Sequence, residues 1–342
     1  MWALRCVSYE IYQLLADTSI LYPTYVLEIC MKPKKSIKTI KSIISQDYTN
    51  LEIWLVDDGS TDSSGEVCDK YAESDQRIIV IHKDNGGLSD ARNVALDRMQ
   101  GKYVLFIDSD DYIEKNYISY LYMLLKDYQS DISICNFKYV NEKGQILNNP
   151  EDTGKIVQYS KEEALDKILQ GKEINTSASM KLYCCDIFKN IRYPKGKLYE
   201  DVATTYKTIL RANRVVYGDY SGYVYLCRGG SITKRKFTEK RMDAIYNMEE
   251  MCSNIIKAYP NLQGKCMVRL FEQYVSVYSA AKNSTGNKII EKQIFGKLKD
   301  MRKRANVRGK DKVYSISIAI GKWLFDTIIL VENSIQRYRK KI

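Results

Sequence analysis

The 342 residues carry a formal net charge of +11, with 45% hydrophobic and 28% charged side chains, 28 Tyr and only 5 Pro. That balance excludes a disordered or fibrous chain and suffices for one large core with an appendage, or for two modest domains. Nine Cys in no framework-like spacing, no C-x-x-C and a single histidine, His82, speak against a structural zinc site and for reduced cysteines in a cytosolic protein.

Residues 1–35 contain no continuous apolar core, so no signal peptide is expected, and they give no clean first strand or helix. From residue 36 the pattern is regular. Ile37, Ile40, Ile43 and Ile44 recur at helical spacing, and Leu51 to Asp57 reads as a strand. A helix over Ser63 to Ser74 precedes a β-branched strand over Ile78 to Ile81. Helical Leu88 to Met99 leads into the apolar run Tyr103–Ile107, and Tyr117 to Leu125 is followed by a strand near Ile132–Phe137. Strands alternating with helices of this length imply an α/β fold, a mixed, mainly parallel sheet with helices on both faces. Residues 141–155 read as a hairpin or excursion loop. Beyond Lys234 the signal is helical, so the predicted division is 1–35 atypical, 36–233 α/β, and 234–342 a basic helical region.

Ligands of such sheets bind outside the carboxyl ends of the strands, and the carboxylates collect there. The run Tyr103–Ile107 empties into Asp108, Asp110 and Asp111. Like charges packed so closely repel, and a hard divalent cation with oxygen ligands relieves them. The plainer alternative is a solvated acidic turn, and Asp111 is read as a helix cap. Asp57 and Asp58 end the preceding strand before Gly59, with Asp62 as a helix cap. Gly86-Gly87 followed by Arg92 suits a phosphate or an ordinary loop; Arg92 can equally pair with a strand-end Asp. Glu200-Asp201 opens a helix, where it can complement the dipole or present a general base.

Taken in order, VDDGSTD, NGGLSDARN, FIDSDDYI and GKLYEDVATTY resemble the bacterial family 2 glycosyltransferases, inverting enzymes of GT-A fold that act in capsular, exopolysaccharide or cell-wall assembly. The similarity spans roughly residues 37–240 and includes Lys181-Leu182-Tyr183. It implies transfer of a sugar from a nucleotide-sugar, UDP-linked, to an acceptor hydroxyl. By resemblance Asp57 and Asp58 contact uracil and ribose, Arg92 braces the nucleotide pocket, and Asp110 with Asp108 holds Mn2+ or Mg2+. Asp201 matches the catalytic base and Glu200 positions it or the acceptor. Arg228 and Ser231 lie near a segment closing over the diphosphate. The chain departs from the family at its start, where Pro23-Thr24-Tyr25 with Val26 stands for the usual Pro-x-Tyr-Asn. The alternative is a non-catalytic relative with a defective nucleotide pocket.

The basic charge belongs to the last third: residues 234–342 hold 24 Lys/Arg against 10 Asp/Glu, a net of +14. Ser315 to Val331 is apolar apart from a few polar positions; its two charges, Lys322 and Asp326, are four apart and able to pair, and Arg337, Arg339, Lys340 and Lys341 follow. That pattern predicts an amphipathic helix near 315–331 on an anionic membrane surface, not a spanning helix. No nucleic-acid recognition motif accompanies the charge. The expected place is the cytoplasmic face of the cell membrane.

Overall fold

The computed structural model describes residues 24–30, 33–99, 101–148, 150–227, 237–284 and 287–339. Its centre is a ten-stranded sheet in the order β3-β2-β1-β4-β9-β6-β10-β5, with β7 paired to β6 and β8 to β10. The strands are β1 (Thr24–Cys30), β2 (Leu51–Asp58), β3 (Ile78–Lys83), β4 (Tyr103–Ile107), β5 (Tyr112–Ile113), β6 (Ile132–Asn141), β7 (Ile146–Asn148), β8 (Ile156–Ser160), β9 (Lys181–Cys184) and β10 (Arg214–Cys227). The first four run parallel, β9 runs antiparallel between β4 and β6, and β10 is again parallel to β6.

Helices cover both faces: α1 (Pro33–Ile44), α2 (Ser64–Ser74), α3 (Leu88–Arg98), α4 (Tyr117–Asp127), α5 (Lys161–Gln170) and α6 (Glu200–Arg211). The alternation inside each strand decides what packs where. Trp54, Val56, Val104 and Phe106 enter the cluster shared with α3, α5 and α6. Their neighbours Ile53, Leu55, Tyr103 and Leu105 face the opposite cluster, which includes Ile40 and Ile43 of α1 and Leu121 of α4. Strand segments buried on both faces carry apolar side chains in succession, as Ile53–Val56 of β2 and Tyr103–Ile107 of β4 do.

Two expectations are corrected. The segment before residue 36 does supply a first strand: β1 sits between β2 and β4, with Thr24 opposite Leu51 and Cys30 opposite Asp57. Thr24 and Tyr25 therefore open β1 rather than close it, and Pro23 lies outside the described residues. Asp111 is not a helix cap, since α4 begins only at Tyr117.

Beyond β10 the described chain is helical: α7 (Asp243–Ala258), α8 (Gln263–Lys282), α9 (Lys288–Met301), α10 (Gly309–Ile320) and α11 (Lys322–Arg339). They enclose a third cluster around Phe271, Tyr278, Phe325 and Ile329. The single amphipathic helix expected near 315–331 is two helices, because Gly321 is extended (ψ 159°) and breaks the run. Lys322 and Asp326 do pair, at 2.9 Å.

Candidate active site

The strand order reverses direction around β1, with β2 on one side and β4 on the other. Such a switch point opens a crevice at the carboxyl ends of the strands. Asp57 and Asp58 stand at the end of β2, and Asp108 follows β4 directly.

Asp57 is buried and accepts the Ser60 backbone N–H at 3.0 Å, while its second oxygen lies 3.0 Å from His82 Nδ1. Burial pushes this carboxyl up, yet the hydrogen bonds from Ser60 and His82 outweigh it and leave the pKa below its ordinary value. His82, bonded to Asp69 on its other nitrogen, is a structural partner of the site. Asp58 accepts the backbone N–H groups of Gly86 (2.9 Å) and Gly87 (2.7 Å) and pairs with Lys83. Asp58 thus braces the glycine loop, while Asp57 is tied to the start of the next turn and to β3. Gly59 has φ +70°, and a Cβ there would meet the Asn85 backbone nitrogen at 2.6 Å, so the turn requires glycine. Asp62 caps α2 as expected, accepting the Ser64 N–H at 3.0 Å.

The acidic turn after β4 is held from three sides. Thr39 of α1 donates to the carbonyls of Ser109 (3.0 Å) and Asp111 (2.6 Å). Asp111 is buried and accepts the Tyr223 hydroxyl (2.8 Å) and the Leu226 N–H (3.0 Å), tying the turn to β10. Burial, reinforced by Asp108, pushes the Asp111 carboxyl well up. Asp108 is partly exposed; it accepts Arg92 at 3.1 Å on one oxygen and the Ser179 hydroxyl at 3.0 Å on the other. Asp110 is exposed at the mouth.

Arg92 is buried and bridges two motifs distant in sequence, reaching Asp108 with one nitrogen and Glu200 at 2.8 Å with another. The Tyr193 ring lies 5.1 Å away beneath it. Burial opposes its charge, but the fields of Asp108, Tyr193, Glu200 and Asp201 more than compensate and hold it protonated.

Asp201 occupies the second position of α6, where its own carboxylate accepts the Val202 N–H at 2.8 Å. Crowding by protein raises its pKa to about 6, with Glu200 and Asp108 adding to the shift and Arg92 opposing it. A carboxylate poised there is matched to proton abstraction near neutral pH. The preceding residue, Tyr199, is in the left-handed region at φ +58°. That turn is fastened from α7: the buried Asn247 donates to the carbonyls of Leu198 (3.0 Å) and Tyr199 (2.9 Å), and Asp243 accepts the Leu198 N–H (3.0 Å).

Sequence reasoning passed over Tyr223 and Asn247 and gave no role to Ser179 or Lys181. Lys181 is fully buried in β9, with its ammonium directed at Asn175 Oδ1 (3.0 Å) and the Ser177 carbonyl (2.7 Å). Burial pulls its pKa down to about 7. A lysine in a strand flanked by Leu182 and Tyr183 was a legible signal; Asn247, 46 positions beyond Asp201 on a separate helix, gave none. The structure brings together Arg92, Asp108, Glu200 and Asp201, sets Asp57 and Asp58 at the carboxyl end of β2 and Asp110 in the turn after β4, and Arg228 and Ser231 lie outside the described residues.

A profile of glycosyl transferase family 2 matches residues 29–192. The glycosyltransferase GlyG of Streptococcus pneumoniae serotype 4 is 31% identical over 221 residues, 62% of this chain and 73% of GlyG. The chain belongs to glycosyl transferase family 2. GlyA of the same organism is 37% identical over 233 residues, 66% of this chain and 33% of GlyA. The poly(ribitol-phosphate) β-N-acetylglucosaminyltransferase TarS of Staphylococcus aureus is 30% identical over 213 residues, 60% of this chain and 35% of TarS. The chain therefore spans about a third of the length of GlyA and TarS. The crystal structure of TarS residues 1–349 with UDP-GlcNAc aligns over 92% of each chain with a TM-score of 0.66 and 22% identity, which establishes a shared family 2 fold.

Proposed function

We propose that this family 2 protein transfers a sugar from a UDP-linked donor to a hydroxyl of a glycan or lipid-linked glycan, with inversion, during surface polysaccharide assembly. The observation that carries the proposal is Asp201, a carboxyl tuned to about 6, standing within electrostatic reach of the Arg92–Asp108 pair at the switch point. Asp57 at the far end of β2 is placed for the nucleoside, and the TarS complex with UDP-GlcNAc supports a uridine nucleotide as the leaving group.

Asp201 accepts the proton of the acceptor hydroxyl as that oxygen attacks the anomeric carbon. A single carboxylate opposite the leaving group gives one displacement and hence inversion, unlike the paired carboxylates of glycoside hydrolases. Glu200, anchored by Arg92, keeps negative charge beside Asp201 and so holds it basic. Arg92 in turn fixes Asp108.

No three His, Cys, Asp or Glu groups converge into a ready-made metal cage among the described residues. Asp108 and Asp110 nevertheless offer all-oxygen ligands at the crevice, and a Mg2+ or Mn2+ held by one or two carboxylates completes its shell with substrate phosphates and water. Bound there, such an ion would neutralise charge developing on the diphosphate. The alternative, a non-catalytic relative with a defective nucleotide pocket, predicts neither UDP binding nor turnover, and a donor panel tests it.

A lipid-linked acceptor would be met at the inner face of the cell membrane; no helix among the described residues is long and apolar enough to cross one. The test is transfer from a panel of nucleotide-sugars, with and without Mn2+, with the anomeric configuration of the product read by NMR. Metal-stimulated transfer from a UDP-sugar with inverted configuration is expected. Retained configuration, insensitivity to EDTA, or no turnover with any donor would overturn the proposal.

A further inference from the structure

Helices α10 and α11 form an antiparallel hairpin about Gly321, because Lys310 and Tyr314 near its open end both reach Glu332. Its inner side is sealed: Tyr314, Ile318, Phe325 and Ile329 are buried in the third cluster. The charged groups along its length are folded back as well. Asp326 is bound by Tyr278, Lys282 and Lys322, and Glu332 by Lys310 and Tyr314.

What remains outside is apolar. Val313, Ile316 and Ile320 recur at i, i+3 and i+7 on α10 and are exposed. On α11 Trp323, Leu330, Val331 and Ile335 are exposed, with only Thr327 and Ser334 as exposed polar residues among them, and Trp323 is 68% accessible. Large apolar side chains elsewhere on the described surface are exposed singly or in a pair. A contiguous patch of this kind marks an interaction surface.

The rim identifies the partner. Residues 302–312, which lead into the hairpin, contain Arg302, Lys303, Arg304, Arg308, Lys310 and Lys312 against the lone acid Asp311. A second copy of the chain would bring two such rims together and be repelled. An anionic bilayer meets both features at once, with lipid headgroups against the rim and the acyl boundary against the apolar face; an indole at that boundary is well suited to it.

We propose that the outer face of the α10–α11 hairpin lies in the plane of an anionic membrane, seated by Ile316, Ile320 and Trp323. The proposal deepens the reading of the protein as an enzyme working on membrane-presented acceptors and rests on it for its purpose. Vesicle binding needs neither donor nor acceptor, so the two fail separately.

The experiment is cosedimentation of the full chain with phosphatidylglycerol-containing and pure phosphatidylcholine vesicles at low and high salt, together with light scattering of the free protein. Affinity for the anionic vesicles should exceed that for neutral ones by at least about tenfold and fall with salt. Ile316→Glu/Ile320→Glu and, separately, Trp323→Glu should each lose at least about tenfold, with circular dichroism and transfer to a soluble acceptor unchanged. Asp201→Asn should bind vesicles like the wild type. Equal binding to both vesicle types, no binding to either, or undiminished binding by the folded variants overturns the proposal. So does a dimer in solution that these substitutions dissociate, which would make the occupant a second copy.

Discussion

Arg92 and Lys181 show how differently two buried cations are treated. Arg92 has two carboxylates and an aromatic face, so burial does not cost it its charge. Lys181 has only neutral acceptors, Asn175 Oδ1 and the Ser177 carbonyl, and its pKa falls from an ordinary 10.5 to about 7. In the window between those values the unfolded chain binds more protons than the folded one, so this group adds stability as pH rises from about 7 toward 10. Lys181→Met should remove that slope. Urea unfolding at pH 7, 8 and 9 checks it: the wild type should gain on the variant at each step, and parallel curves would assign the lysine no linked titration. The same residue-scale view explains what sequence could not yield. Asp111 looks like a helix cap beside Asp110, and only the three-dimensional neighbours Tyr223 and Leu226 reveal it as the anchor of β10.

Elements were legible where burial is two-sided. Ile53–Val56 of β2 and Tyr103–Ile107 of β4 are apolar runs that end in acids, so both the strands and the carboxylates they deliver are read directly. β1 was missed because Glu28 interrupts its apolar run, and Thr24 and Tyr25 open it rather than close it. β10 was illegible as one strand of 14 residues, since Gly218, Asp219, Ser221 and Gly222 punctuate it; the register shift between Gly218 and Tyr223 is the structural trace of that punctuation. The turn before α6 depends on a different element altogether. Asn247 of α7 donates to both carbonyls of that turn, next to the left-handed Tyr199. Asn247→Ala strips both donors, a loss of about 1–3 kcal/mol in stability. Because the turn sets where Asp201 stands, kcat should fall while KM for the donor is kept. A variant with unchanged kcat would make Asn247 a packing residue only.

At the scale of the molecule, the sheet supplies a crevice at its switch point, α3 and α6 close one side through Arg92 and Glu200, and α7 fastens the turn that opens α6. The C-terminal helices thus reach the turn that opens α6 through Asn247 as well as offering the outer apolar face. All of this converges on one carboxyl, Asp201, whose folded pKa of about 6 lies above the usual 3.8. A base must be deprotonated to act, so kcat/KM should fall as pH drops through about 6, well before an ordinary aspartate would be protonated. The most direct measurement is single-turnover transfer by Asp201→Asn across that pH range, alongside its affinity for the nucleotide. The variant should fold, bind nucleotide as the wild type does, lose about 10²–10⁴-fold in rate and show no acidic limb near pH 6. Transfer at near wild-type rate by a folded, nucleotide-binding Asp201→Asn would contradict the assignment of Asp201 as the base.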